Sequence, residues 1–368
     1  MPSAVHTLPL SGLTVVAIEQ AVAAPFASSR LADAGARVIK IERPEGDFAR
    51  GYDRAAAGQS SYFVWINRGK QSVTLDLGSG AGKAELERLL AGADVVIQNL
   101  KRGGLDRLGF GFDRLQRDFP RLIACSISGY GEDGPMAERK AYDLLVQAES
   151  GLCSITGGPS EPARVGISIV DIATGATAYS AILEALIRRG LTGKGANISV
   201  SMFDVMADWL TVPLLNHEGG QSPKRIGLAH PSIAPYGVFK TRDYQSILIS
   251  VQSDREWLRL CNKFLDRPEL GPDPRFATNV ARVAHRTETD AAVAEAFARR
   301  DASEAVAALL QADVAIAEVN DMAGLARHPH LRRVTVDTPN GPVSFPAPAP
   351  IFSDESRAYG PVPALNKI

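Results

Sequence analysis

Asp171 stands between two apolar runs in "RVGISIVDIATGATAYSAILEALIRRG" (Arg164–Gly190). Upstream, Val165, Ile167, Ile169 and Val170 read as a short buried strand; downstream, Ile182, Leu183, Leu186 and Ile187 recur at helical spacing. A carboxylate at that junction has two compatible readings. It caps a helix beginning near Thr174 by accepting backbone N–H groups. Alternatively, the helix N-terminus holds it ionised and aimed outward, as suits a nucleophile that needs no general base at neutral pH.

Basic residues gather where strands should end: Arg43 in "IERPEGD", Lys101, Arg102 and Arg107 in "NLKRGGLDRLGF", and Arg139 and Lys140 in "ERKAYD". Each alone reads as a solvated loop. Ligands of doubly wound sheets bind at the carboxyl ends of strands, so three such loops together suit a phosphate-bearing ligand.

Other chemistries lack support. "GYGEDG" (Gly129–Gly134) has dinucleotide-loop spacing. It follows about the fourth strand rather than the first, and Pro135 comes next, so a Gly-rich turn is the better reading. The histidines show no H-E-x-x-H spacing, His328 and His330 being two apart, so no metal site is expected. No G-x-S-x-G elbow occurs. Cys125, Cys153 and Cys261 have no C-x-x-C spacing, which favours a reducing cytoplasm over disulfides or zinc.

The elements that must carry these residues alternate. "GLTVVAIE", "ARVIKIERP", "DVVIQN", "PRLIACSIS" and "ANISVSM" read as strands, with helices in "PFASSRLADAG", closed by Gly35, and "KAELERLLAGA". This order predicts a parallel, doubly wound α/β sheet. After Asp208 the texture changes: a Gly- and Pro-rich linker, then a hairpin and helix in "GVFKTRDYQSILISVQSDREWLRLCNKFL", then an Ala-rich helical stretch near Thr289–Gln311. "DVAIAEVND" reads as a returning strand, and a hairpin is expected at Asn340–Gly341. The expected organisation is a large α/β domain at 1–210, a linker at 211–224, an inserted small α+β domain at 225–310, and a return to the large domain at 311–368.

The 368 residues are 45% hydrophobic and 22% charged, with a net charge of −1. That balance predicts a globular core and gives no electrostatic reason to bind nucleic acid or a membrane surface. No uninterrupted apolar run approaches the ~20 residues of a membrane span. "MPSAVHTLPLSGLTVVAIEQ" lacks the basic start and long apolar region of a secretory signal. A cytoplasmic protein is expected.

Segments through nearly the whole chain resemble the family III CoA transferases, among them the formyl-CoA transferases. They include "PLSGLTVVAIEQAVAAPFASSRLADAGARVIKIERPEGD", "YFVWINRGKQSVTLDL", "ADVVIQNLKRGGLDRLGFGFDRL", "KAYDLLVQAESGL", "GISIVDIATG", "HPSIAPYGVF" and "DPRFATNVARV". The resemblance implies a Rossmann-like body with a smaller domain, an interlocked homodimer, and no tightly bound cofactor, coenzyme A entering as an acyl-CoA substrate. It makes Asp171 the nucleophile. Positions matching CoA contacts are Val22, Ala23, Arg43, Leu75, Asn99, Leu100, Lys101, Arg107 and Lys140.

Three features depart from the formyl-CoA transferases and weigh against formyl-CoA and oxalate as substrates. Val22 replaces a Gln. "GLAHPSIAPYG" stands where a glycine-rich loop is expected, which makes His230 a candidate substrate contact and its loop amides candidate oxyanion donors. The chain ends at "PALNKI", short of the usual last helix. The implied reaction moves CoA from an acyl-CoA, succinyl-CoA being a candidate donor, to a small mono- or dicarboxylic acid. Two alternatives stay open: a 2-methylacyl-CoA racemase, whose motif has His where this chain has Tyr142, a further candidate substrate contact, and a CoA-binding protein without catalysis.

Overall fold

The computed structural model describes residues 8–355 and 357–366. Part of the N-terminal stretch considered above (residues 1–7) and the last two residues of "PALNKI" lie outside them. Six short apolar runs form one sheet: β1 (Thr14–Ile18), β2 (Arg37–Glu42), β3 (Lys70–Thr74), β4 (Val95–Gln98), β5 (Ile123–Ser128) and β6 (Ala196–Ser201). The order is β3-β2-β1-β4-β5-β6, and every neighbouring pair is parallel. Val15, Val16, Ala17 and Ile18 are all buried, as expected of a central strand covered on both faces. The order reverses between β1 and β4, and that switch point is where such sheets take ligands. β3, which was not among the expected strands, is a polar edge strand, "KQSVT".

The helices up to residue 192 are α1 (Ala23–Asp33), α2 (Ser61–Asn67), α3 (Gly80–Ala91), α4 (Gly104–Leu108), α5 (Phe112–Asp118), α6 (Asp143–Glu149), α7 (Leu152–Ile155) and α8 (Ile169–Thr192). α1 and α8 pack backbone to backbone at Gly175, where an added Cβ would lie 2.5 Å from the Ala23 carbonyl oxygen.

The strand expected at Val165–Val170 is absent. Gln147 takes the bonds that a neighbouring strand would have made: its Oε1 accepts the Val165 N–H at 2.9 Å and its Nε2 donates to the Ile167 carbonyl at 3.4 Å. The helix starts at Ile169, so Asp171 lies inside its first turn rather than ahead of it.

By length and composition α8 could cross a membrane, contrary to the expectation from uninterrupted runs. Its Val170, Ala173, Ala178, Ile182 and Ala185 are buried in the main core, which is the environment of a core helix.

The chain folds as two compact units. One comprises Met1–Cys153, Arg164–Leu215 and Arg332–Ile368; the other comprises Ser154–Ala163 and Asn216–Leu331. The second unit carries an antiparallel sheet of β7 (Tyr236–Lys240), β8 (Ser246–Ser250) and β9 (Ala315–Glu318) over a core of Trp257, Leu260, Phe264, Phe297 and Leu309. β9 is the strand of "DVAIAEVND". It pairs with β8, so this unit runs past residue 310 and the strand does not return to the body. The expected linker begins as a helix, Thr211–Glu218. The Ala-rich stretch is two helices, Arg286–Ala298 and Ala302–Gln311, the second opened by an Asp301–Glu304 capping box. β10 (Arg333–Val336) and β11 (Val343–Pro346) form the expected hairpin, with Gly341 at φ +111° in the turn.

Candidate active site

The first turn of α8 has N–H groups with no partner inside the helix. Asp143, the first residue of α6, supplies the acceptor: its Oδ1 takes the N–H of Val170 at 2.8 Å and of Asp171 at 3.3 Å. Its Oδ2 accepts from Gln147 Nε2 at 2.7 Å. The Ile172 N–H goes to the Ser168 carbonyl. Among the described residues, no hydrogen bond reaches the Asp171 carboxylate. Burial first, and the Asp143 charge second, push the Asp171 carboxyl up to about 7. The helix terminus therefore does not hold Asp171 ionised as expected, because its N–H groups serve another carboxylate.

An aromatic wall stands at this carboxylate. The Tyr62 hydroxyl lies 3.4 Å from Ser168 Oγ. The Tyr52 ring meets Tyr62 edge-on at 5.5 Å and Phe48 at 5.7 Å, and the Arg43 guanidinium lies 5.9 Å from the Phe48 ring. Burial, then the carboxylates of Asp47 and Asp171, push the Tyr52 hydroxyl up to about 12. Tyr142 is exposed and precedes Asp143. Sequence reasoning missed Tyr52 and Tyr62, since nothing in their local spacing separates them from the other tyrosines.

α1 begins beside this turn. Val22 packs with Phe26 and Ile66 in a cluster that includes Ile172. Val22 and Ala23 are buried, so they offer a ligand backbone groups only. Ala21 sits at φ +62°, its N–H held by Asp47 Oδ1 at 3.2 Å. Asn99 ties the two switch-point loops: its Oδ1 accepts the Gln20 N–H at 3.0 Å and its Nδ2 donates to the Gln20 carbonyl at 2.8 Å.

A cleft opens at the carboxyl ends of β1, β2 and β3, lined by Ile18, Arg43, Asp47, Leu75, Leu77 and Leu100 among others. Three of the expected CoA contacts, Arg43, Leu75 and Leu100, meet there. Its floor is ionic. Glu19 Oε1 lies 2.7 Å from Lys70 Nζ and 3.5 Å from Lys40 Nζ, and Lys40 reaches Asp47 at 2.9 Å, all four side chains being fully buried. Burial pulls the Lys70 amine down to about 8. Although burial opposes its charge, Arg50 and then Lys40 hold Glu42 at about 2.

The remaining basic positions separate. Lys101 and Lys140 are exposed. Arg107 lines a different cleft with Arg102 and the carboxylates of Asp106, Glu132, Asp133 and Glu138, and Arg102 is paired with Glu138 at 2.6 Å. The loops thus do not form the continuous cationic surface that their sequences suggested.

His230 belongs to the second unit, its ring stacked on Tyr236 at 5.3 Å and its Nδ1 accepting from the Ser232 N–H at 3.1 Å. Burial, then Arg286, lower its pKa. The N–H groups of His230, Ser232 and Ala234 are engaged by Tyr236, His230 and Asn279, so these three amides are not free oxyanion donors. Among the described residues, no group of three or more His, Cys, Asp or Glu could hold a metal.

The body therefore presents a carboxylate, unpartnered among the described residues, beside tyrosines and joined through Phe48 and Arg43 to a cleft at the switch point. The profile of CoA-transferase family III matches residues 10–367. The chain belongs to that family. It is similar to the succinate–glutarate CoA-transferase of Agrobacterium fabrum, with 36% identity over 98% of this chain and 93% of that one. It is 37% identical to the acetyl-CoA:oxalate CoA-transferase of Acetobacter aceti, over 92% and 87%. A crystal structure of a CAIB/BAIF family protein from Brucella suis superposes with a TM-score of 0.82 at 38% identity, over 98% and 97%. This family III enzyme is a CoA transferase, and its parallel six-stranded body is the α/β fold anticipated from sequence.

Proposed function

We propose that this CoA transferase carries CoA from a small acyl-CoA, succinyl-CoA first among the candidates, to a small mono- or dicarboxylic acid through Asp171. The observation that carries the reading is the Asp171 carboxylate, half-buried yet free of hydrogen bonds from the described residues. The donors and acids in the relatives' names support the substrate class. The oxalate-using relative keeps oxalate among the acids to test, against the sequence-based expectation.

Ionised Asp171 attacks the thioester carbonyl, the C–S bond breaks, and CoA leaves as thiolate, giving an aspartyl–acyl anhydride. The thiolate attacks the Asp171 carbonyl carbon, forming an aspartyl–CoA thioester and releasing the donor carboxylate. The acceptor carboxylate attacks that thioester, again expelling thiolate. The thiolate then takes the acceptor's acyl carbon, forming the new acyl-CoA and restoring Asp171. A thiolate with an ordinary pKa near 8.5 leaves without strong acid assistance, so the site's tasks are positioning and exclusion of water. Arg43, Leu75 and Leu100 hold the CoA portion; Tyr142, Tyr52 and Tyr62 bound the acyl end.

The interlocked homodimer belongs to the same reading. Exposed Trp209, Val212, Leu214 and Leu215 support a covering partner copy. Three free cysteines are in keeping with a reducing, cytoplasmic setting.

The test is a matrix of succinyl-, acetyl- and formyl-CoA against glutarate, mesaconate, itaconate, citramalate, malate and oxalate, read by mass spectrometry. The CoA ester of an added acid should appear. Absence of transfer throughout, with α-deuterium exchange into a 2-methylacyl-CoA and no acceptor present, would instead establish the racemase.

A further inference from the structure

An acidic residue at the third position of a helix ordinarily folds back on the N–H groups of its own first turn. A carboxylate bonded that way is a weaker and misaimed nucleophile. Here those donors are committed elsewhere: Val170 and Asp171 N–H to Asp143 Oδ1, Ile172 N–H to the Ser168 carbonyl, and Ile169 N–H to the Ile167 carbonyl. Asp143 is itself held. It is buried, and Gln147 donates to its second oxygen. Gln147 also grips the approach to the helix at Val165 and Ile167, so one side chain fixes both the loop and the capping carboxylate. The two residues lie four apart on α6, on one helix face.

We propose that Asp143 and Gln147 are positioning residues for the nucleophile: by capping α8 from outside, they keep its N–H groups off the Asp171 carboxylate and leave both its oxygens free to attack. The inference rests on the assignment of Asp171 as nucleophile. The same arrangement has an electrostatic consequence. Asp143 places a like charge next to Asp171, and among the described residues no cation opposes it: the other titratable groups facing this turn are Tyr52 from the loop after β2, Tyr62 from α2 and Tyr142 ahead of α6. A cap built from a neutral residue would leave the nucleophile titrating at lower pH.

The experiment uses the full chain with succinyl-CoA and glutarate, or the first active pair from the matrix, and follows kcat and KM from pH 5 to 9. Asp143→Ala, which removes the acceptor, and Gln147→Leu should each lower kcat about tenfold or more, the scale of a misplaced reacting group, with KM for the acyl-CoA within about twofold. Asp143→Asn, which keeps an acceptor oxygen and loses the charge, should shift the acid limb of kcat/KM to lower pH. A wild-type kcat in Asp143→Ala or Gln147→Leu, or an unmoved acid limb in Asp143→Asn, overturns the proposal. Far-UV circular dichroism checks folding, and if Asp143→Ala does not fold, the kcat of Gln147→Leu decides. An Asp171→Ala protein run alongside separates the two claims, because full transfer by that protein removes the nucleophile assignment itself.

Discussion

Asp143 Oδ1 accepts the backbone N–H of Asp171 at 3.3 Å, so two carboxylates from different helices share one helix N-terminus. One is bonded and structural. The other is left bare. That division of labour governs the pH behaviour of the site.

The Asp171 carboxyl titrates near 7 in the folded protein, against about 3.9 in an unfolded chain. The nucleophile must be ionised, so kcat/KM should climb as pH rises through about 7. The stability sign is opposite. Between pH 4 and 7 the folded state binds more protons than the unfolded one, so this group makes folding less favourable as pH rises. Asp171→Asn should therefore melt above wild type at pH 8, with the gap narrowing toward pH 5. A gap that does not change with pH would contradict the raised pKa.

Arg43 lines the cleft and donates only to the Gly46 carbonyl, at 3.2 Å, among the described residues. Its guanidinium is available for a ligand phosphate. Arg43→Ala should raise KM for acyl-CoA several-fold with kcat little changed, the pattern of a lost uniform binding contact. Steady-state kinetics at saturating acid reads it directly, and an unchanged KM would remove Arg43 from the CoA site.

Glu19 joins two lysines whose side chains are fully buried. Glu19→Gln keeps the shape and removes the charge, which leaves Lys70 buried without its partner. Loss of one member of a buried pair costs about 3–5 kcal/mol, to be measured by urea unfolding. The exposed Arg88–Glu85 pair is the control: Arg88→Gln should be indistinguishable from wild type.

Gly175 lets α1 and α8 touch. A Cβ there would meet the Ala23 carbonyl oxygen at 2.5 Å and Phe26 Cβ at 2.9 Å. Gly175→Ala should destabilise by about 1–3 kcal/mol through overpacking. It should also lower kcat, because the displaced helix carries Asp171 one turn away. Stability and turnover measured on the same preparation test the coupling; a fully active, destabilised variant would uncouple them.

Strand periodicity made most of the sheet legible, since β1, β2, β4 and β5 are mostly apolar, buried runs. β3 escaped because its composition is polar and the ion pair that buries its Lys70 is with Glu19, 51 positions away. The false strand at 165–170 had the right alternation, but Gln147 supplied the bonds from a different element. Asp171 drew attention as a charge in apolar surroundings, yet its capping by Asp143 depends on a contact 28 positions distant that no local pattern encodes. The pairing of Arg102 was hidden for the same reason: Glu138 lies 36 residues on in sequence and 2.6 Å away in space.

The central claim is that CoA rests covalently on residue 171 during transfer. Intact-protein and peptide mass spectrometry after brief exposure to the acyl-CoA donor measures this directly. One CoA, less a water, should appear on the peptide containing Asp171 and vanish in Asp171→Ala, a protein that still binds CoA. An adduct mapped to another residue, or wild-type transfer by Asp171→Ala, would contradict the account.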